Sequence, residues 1–253
     1  MFIQGANPLG QMPNSSKVIN EFVSAGFKIY FGLYENETSK ASDLVIPGKT
    51  FLEKEDIRSS YGDFTLQKMS KLRETEIGIS EYDLASALCN HFNLSIPKEQ
   101  ECLESFYDQM VSKDGVEYKK KMPKIPYENG FATHSGEFVF MDEFDFGLKD
   151  EKGLFLLTPK APKSLNSQFH RSSGIYLHPK CSFDVGDMVI VSSINGCIKL
   201  SVYHDERLRS DCAIIYAGTP GLNNLTATLL SHKGENAVYQ ENKIKVENVN
   251  SKF

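Results

Sequence analysis

The feature that most constrains this chain is a change of hydrophobic period near Lys149. Before it, short apolar runs alternate with helix-spaced patterns; after it, apolar residues come in short runs broken by Gly and Asn turns. Met1 to Gly5 predicts a short buried strand, and Asn7-Pro8-Leu9-Gly10 supplies turn chemistry directly after it. Ser15 and Ser16 are placed to cap a helix through Phe22 to Ala25, with Gly26 as its stop. Phe27 to Leu33 and Leu44-Val45-Ile46 then predict two more strands. Strand, helix, strand in that order implies a parallel sheet, because parallel neighbours require a crossover.

Phe51 to Leu66 reads as an irregular excursion rich in charges and turn residues. Glu81 to Phe92 carries Leu84, Ala85, Leu88 and Phe92 at the three-and-four spacing of an amphipathic helix, expected to pack on the sheet. From Pro97 to about Pro126 the chain is charged and poor in aliphatics, which reads as a helical or loose insertion. Beyond Lys149, strands are expected at Leu154 to Leu157, Met188 to Ser192, Cys197 to Tyr203 and Ala213 to Tyr216. The expected fold class is therefore α/β followed by all-β, with a partial βαβ parallel-sheet domain over 1–150 and a β-rich domain over 151–253. A length of 253 residues suits two such domains.

Composition narrows the functions. Twenty-eight basic against 33 acidic residues give a net charge of −5, which lacks the basic footprint of a nucleic-acid binder. No apolar run approaches the ~20 residues that cross a bilayer, and the start shows no basic region followed by an apolar one. A cytoplasmic chain without direct membrane insertion is expected. Cys89, Cys102, Cys181, Cys197 and Cys212 stand singly, unlike a disulfide framework or the close pairs of metal sites. The six histidines show no paired metal spacing; His134 and His170 read as surface residues. No nucleophile elbow, phosphate loop or GxGxxG fingerprint occurs, so no catalytic or metal-ligating residue is expected.

Several motifs stand in a telling order. Gly5-Ala6-Asn7-Pro8 follows a strand, then come Glu35-Asn36-Glu37-Thr38, Ala41-Ser42-Asp43-Leu44-Val45-Ile46-Pro47 and Thr50-Phe51-Leu52-Glu53, with Ser60-Tyr61-Gly62, Gln67 and Thr133-His134-Ser135-Gly136 beyond. In the second part, Leu156-Leu157-Thr158-Pro159-Lys160 precedes Ser164-Leu165-Asn166-Ser167-Gln168-Phe169. Gly186-Asp187-Met188-Val189-Ile190-Val191, Asn195-Gly196 and Gly221-Leu222-Asn223-Asn224-Leu225-Thr226 follow. This order resembles the C-terminal part of the molybdopterin oxidoreductase family, of the formate dehydrogenase-like kind, including its molybdopterin dinucleotide-binding domain. After Asn224 the sequence departs from the family, with Ser231-His232-Lys233-Gly234 where an Asp and a Gly are common.

The resemblance implies a double-psi β-barrel for the second domain and molybdopterin guanine dinucleotide as cofactor. It implies that molybdenum or tungsten is held by an N-terminal part that nothing in these 253 residues matches. The cofactor-binding residues so implied are Asn7, Pro8, Thr158, Pro159, Lys160, Leu165, Asn166, Ser167, Gln168 and Asn224. Side-chain amides and hydroxyls suit base edges, and Lys160 is a compact charge suited to phosphate. The expected partners are the rest of the catalytic subunit or other electron-transfer subunits, and the chain alone is expected to be inactive. Two other readings stand beside this one: the end of the large iron-sulfur subunit of a respiratory NADH dehydrogenase, which uses the module structurally, and a remnant that binds nothing.

Overall fold

The computed structural model describes residues 1–60, 65–108, 110–113, 116–119, 127–140, 152–162, 164–165, 173–230, 236–240 and 242–249. The chain divides into two compact units, one made of 1–46 with 149–253 and the other of 47–148. The first unit is thus built from both ends of the sequence.

It opens with strand β1 (Phe2–Gln4), helix α1 (Pro8–Gln11) and helix α2 (Ser15–Ser24), followed by β2 (Ile29–Gly32), α3 (Glu37–Lys40) and β3 (Leu44–Pro47). The strands form a sheet in the order β1-β2-β3, with β1 and β2 parallel and Phe2 opposite Ile29. Proline starts α1 at its first turn, where its missing N–H costs nothing. The cap of α2 is Asn14 rather than the expected serines: its side chain accepts from the Lys17 amide at 3.4 Å, from a left-handed backbone that Asn tolerates. Helix α2 turns Phe22, and partly Val18, onto Ile3, Leu9 and Tyr30 as a small core.

The second unit departs most from expectation. The stretch read as irregular holds an antiparallel hairpin, β4 (Asp56–Ser59) and β5 (Leu66–Met69). Helix α4 (Glu81–His91) is where periodicity placed it, started by a capping box in which Ser80 and Asp83 exchange side-chain-to-backbone bonds at 3.0 and 2.8 Å. It belongs to this unit rather than to that of the parallel sheet, and none of its residues is fully buried. Helix α5 (Glu99–Tyr107) and the hairpin β6 (Met110–Lys113) and β7 (Val116–Lys119) follow.

The first unit resumes with six strands, β8 (Leu154–Leu157), β9 (Ile175–Leu177), β10 (Met188–Ser192), β11 (Cys197–His204), β12 (Cys212–Ile214) and β13 (Asn242–Asn248). They close a barrel in the order β10-β11-β9-β12-β8-β13. Two pairs, β11 with β9 and β12 with β8, are parallel; the rest are antiparallel. Alternation builds the interior: Val189 and Val191, Leu200 and Val202, Ile175 and Leu177 all point inward. Leu222 and Leu225, on and just after a 3-10 turn at Leu222–Asn224, plug the same core. The architecture is therefore a parallel α/β sheet followed by a closed β-barrel; the period change implied the β-rich second part, and the family resemblance implied that it closes as a barrel. Among the described residues no helix is long and apolar enough to cross a membrane.

Candidate functional site

Four of the residues singled out in the sequence, Asn7, Thr158, Lys160 and Asn224, line one cavity of about 640 Å³ in the first unit. They come from the turn after β1, the end of β8 and the 3-10 turn, more than 200 residues apart in the chain for the outermost pair. The α/β end and the barrel meet here through specific bonds. The Asn14 amide donates to the Thr226 carbonyl at 3.1 Å, the Asn223 side-chain amide to the Gly10 carbonyl at 3.0 Å, and the Tyr239 hydroxyl to the Gln11 carbonyl at 3.0 Å. Burial pushes the Tyr239 phenol above its ordinary pKa, so it is a neutral donor at physiological pH.

Each residue has a distinct duty. Asn7 is 2% exposed and both polar atoms of its side chain are engaged: Oδ1 accepts from the Thr38 hydroxyl at 2.8 Å and the Thr38 amide at 3.3 Å, and Nδ2 donates to Glu37 Oε2 at 2.7 Å. Gly10 permits this, because a Cβ there would stand 2.5 Å from Asn7 Nδ2. Thr158 is held by Gln240, whose amide donates to the Thr158 hydroxyl at 3.0 Å. Asn224 accepts from the Ser16 hydroxyl through Oδ1 at 3.4 Å, leaving its NH₂ without a described protein acceptor. Lys160 is exposed and makes no ion pair among the described residues. The loop at 217–221 also borders the cavity, and the Gly218 and Gly221 amides have no acceptor among the described residues.

The other implied residues are placed differently. Pro8 opens α1, and the Pro159 carbonyl accepts from the Ala217 amide at 2.9 Å, so both serve the backbone. Leu165, 54% exposed, lines a second cavity of about 260 Å³ together with Asn7, Gly5 and Glu35. That cavity lies beyond the carboxyl ends of β1 and β2, where open parallel sheets hold ligands. Asn166, Ser167 and Gln168 lie outside the described residues, as do His170 and the departure at Ser231 to Gly234. Motif reading missed Gln240, Tyr239 and Glu37; the last stood within a quoted motif but was not assigned a role.

The donor set fits the dinucleotide cofactor that the motifs imply. Lys160, two amides and the Asn224 NH₂ offer positive or donating groups to a diphosphate, and Ile19, Leu222 and Pro220 supply apolar surface for a ring. No group of three or more His, Cys, Asp or Glu side chains stands together to hold a metal among the described residues.

Comparison with solved structures gives a likeness of fold. The fold matches acetylene hydratase from Pelobacter acetylenicus with a TM-score of 0.72 at 15% identity, over 98% of this chain and 44% of that one. The chain thus spans less than half the length of this structural neighbour. No family model and no curated protein matches the sequence.

Proposed function

We propose that the chain is the C-terminal, cofactor-gripping part of a molybdopterin-dependent oxidoreductase, and that its 640 Å³ cavity takes the nucleotide portion of molybdopterin guanine dinucleotide. The observation that carries the proposal is the meeting of Asn7, Thr158, Lys160 and Asn224 on one cavity, after motif order alone had singled them out. The fold neighbour points to the same superfamily. A hydratase shares this fold, so the fold fixes no reaction class, and the oxidoreductase reading rests on the order of the motifs.

When bound, the pterin and its metal supply two-electron chemistry. The chain's own residues bind and orient. Lys160 and the Gly218 and Gly221 amides take the phosphates, Asn224 and Thr158 take polar edges of the nucleoside, and the barrel, of double-psi topology in this reading, holds the loop that carries them. The remainder of the enzyme, the expected partner, holds the metal.

Titration calorimetry with GDP, a fragment of the cofactor, tests the proposal. Wild type should bind, and Lys160→Ala and Asn224→Ala should each weaken binding about three- to tenfold, the loss of one or two hydrogen bonds at roughly 0.5–1.5 kcal/mol each. A well-folded wild type that binds neither GDP nor the whole cofactor sinks the proposal in favour of a non-binding remnant or a structural subunit.

A further inference from the structure

The cavity contains one group that phosphate binding does not explain. Glu37 lines it and carries a negative charge, which repels a diphosphate rather than holding one. Its side chain is nevertheless fixed with care. Oε2 accepts from the Asn7 amide at 2.7 Å, and Asn7 is itself pinned by Thr38, which is completely buried. Gly10 leaves the room this contact needs, since a Cβ there would lie 3.0 Å from Glu37 Oε2. Among the described residues no cation pairs with Glu37, and Oε1 has no donor. The result is an exposed carboxylate, one oxygen of which a buried amide holds, with an acceptor oxygen to spare on a cavity that holds Lys160 elsewhere on its wall.

An acceptor-only group with no cation beside it among the described residues, and with one oxygen held in place, selects ligands that present N–H donors. Guanine presents two adjacent ones, N1–H and the 2-amino group, whereas adenine presents an acceptor at N1 beside its 6-amino donor. A carboxylate therefore attracts the first base and meets a lone pair on the second. We infer that Glu37 is the base-reading residue of this cavity, accepting from the N1–H and 2-amino groups of a guanine and rejecting adenine, while Asn7 acts as its positioning residue. The inference rests on the nucleotide-binding reading of the same cavity and adds to it the discriminating side chain.

Binding of GDP, inosine diphosphate and ADP to the full chain tests this, because inosine retains N1–H and lacks the 2-amino group. Wild type should prefer GDP to ADP by about tenfold or more, with inosine diphosphate between them, as expected for charge-assisted hydrogen bonds. Glu37→Gln keeps a carbonyl for Asn7 and turns an NH₂ toward the base, so GDP should weaken about tenfold while ADP, whose N1 now faces a donor, should bind no more weakly than to wild type. The GDP-to-ADP ratio is read because it does not depend on the fraction of folded protein, with the melting temperature as a second control. A wild type that binds GDP and ADP equally, or a Glu37→Gln variant that keeps the wild-type ratio, overturns Glu37 as base reader while leaving the cavity a nucleotide site. A wild type that binds no nucleotide overturns the cofactor reading and this inference with it.

Discussion

Asn7 shows what a sequence displays about a residue and what it hides. The Asn-Pro turn was legible because Pro at the first helical position and Asn before it are local chemistry. Its partners were not, because Thr38 and Glu37 lie about thirty residues further along and meet it only when β1 and β2 pair. Replacing Asn7 with Ala strands the buried Thr38 hydroxyl and frees Glu37, so unfolding in urea should show a loss of about 1–3 kcal/mol. An unchanged midpoint would mean that the turn holds without the amide. Lys28 and Asp43 make a second pair, at 3.0 Å, just ahead of β2 and β3. Hydrogen bonds from the Lys28 side chain and then its backbone hold the Asp43 carboxyl below its ordinary value of 3.8. A depressed folded-state pKa contributes stability that is present above the unfolded value and lost as pH falls through the folded one. Asp43→Asn should therefore be less stable than wild type at pH 7 and should lose less stability on acidification below about pH 4, as thermal melts across that range would show.

At the scale of elements, strands with a conspicuous apolar signature were readable and those without one were not. Met188–Ser192 and Cys197–His204 carry Val, Ile and Leu around an Asn-Gly turn, and the hairpin forms where that pattern put it. Ile175–Leu177 is only three residues long. Asn242–Asn248 hides its alternation behind lysines, yet Ile244 faces the core at 1% exposure while Lys243 lies over the Phe155 ring. A strict period-two count over residues 242–248 was the available signal. This inconspicuous strand closes the barrel by pairing with both β8 and β10, so truncating it inside should be costly. Ile244→Ala should destabilise by about 2–5 kcal/mol in urea unfolding. Gly153 guards the same seam: its φ is +125°, and a Cβ there would stand 2.7 Å from the Ile244 carbonyl oxygen. Gly153→Ala should lower the melting temperature by more than an ordinary surface exchange, and a melt within a degree of wild type would show that the seam yields.

For the whole molecule, the sequence suggested a division at 150, whereas the compact units gather residues 1–46 with 149–253. Linear reading cannot show such a grouping, because it depends on bonds such as those from Asn14 to Thr226, Asn223 to Gly10 and Tyr239 to Gln11. The two contributors to this unit are unequal. The barrel draws its core from its own strands and turn, Leu156, Val189, Val202, Leu225 and Ile244 among them. The sheet end buries only Ile3, Leu9, Phe22 and Tyr30 in its cluster and Phe31 besides, and Phe2, Val23, Phe27 and Val45 remain 46–68% exposed. A parallel sheet left so open does not bury enough apolar surface to offset the entropy of ordering its residues. Residues 149–253 alone should therefore give a strand-dominated circular dichroism spectrum and a cooperative melt, at a lower temperature than the full chain because Thr226, Asn223 and Tyr239 lose their partners. Residues 1–46 alone should show no cooperative transition. The informative comparison is the gap between the isolated barrel and the full chain, with Tyr239→Phe in the full chain as the control. If the bonds across the cavity couple the two ends, Tyr239→Phe recovers part of that gap; if it leaves the melt untouched while the barrel alone melts as high as the full chain, the barrel owes nothing to residues 1–46.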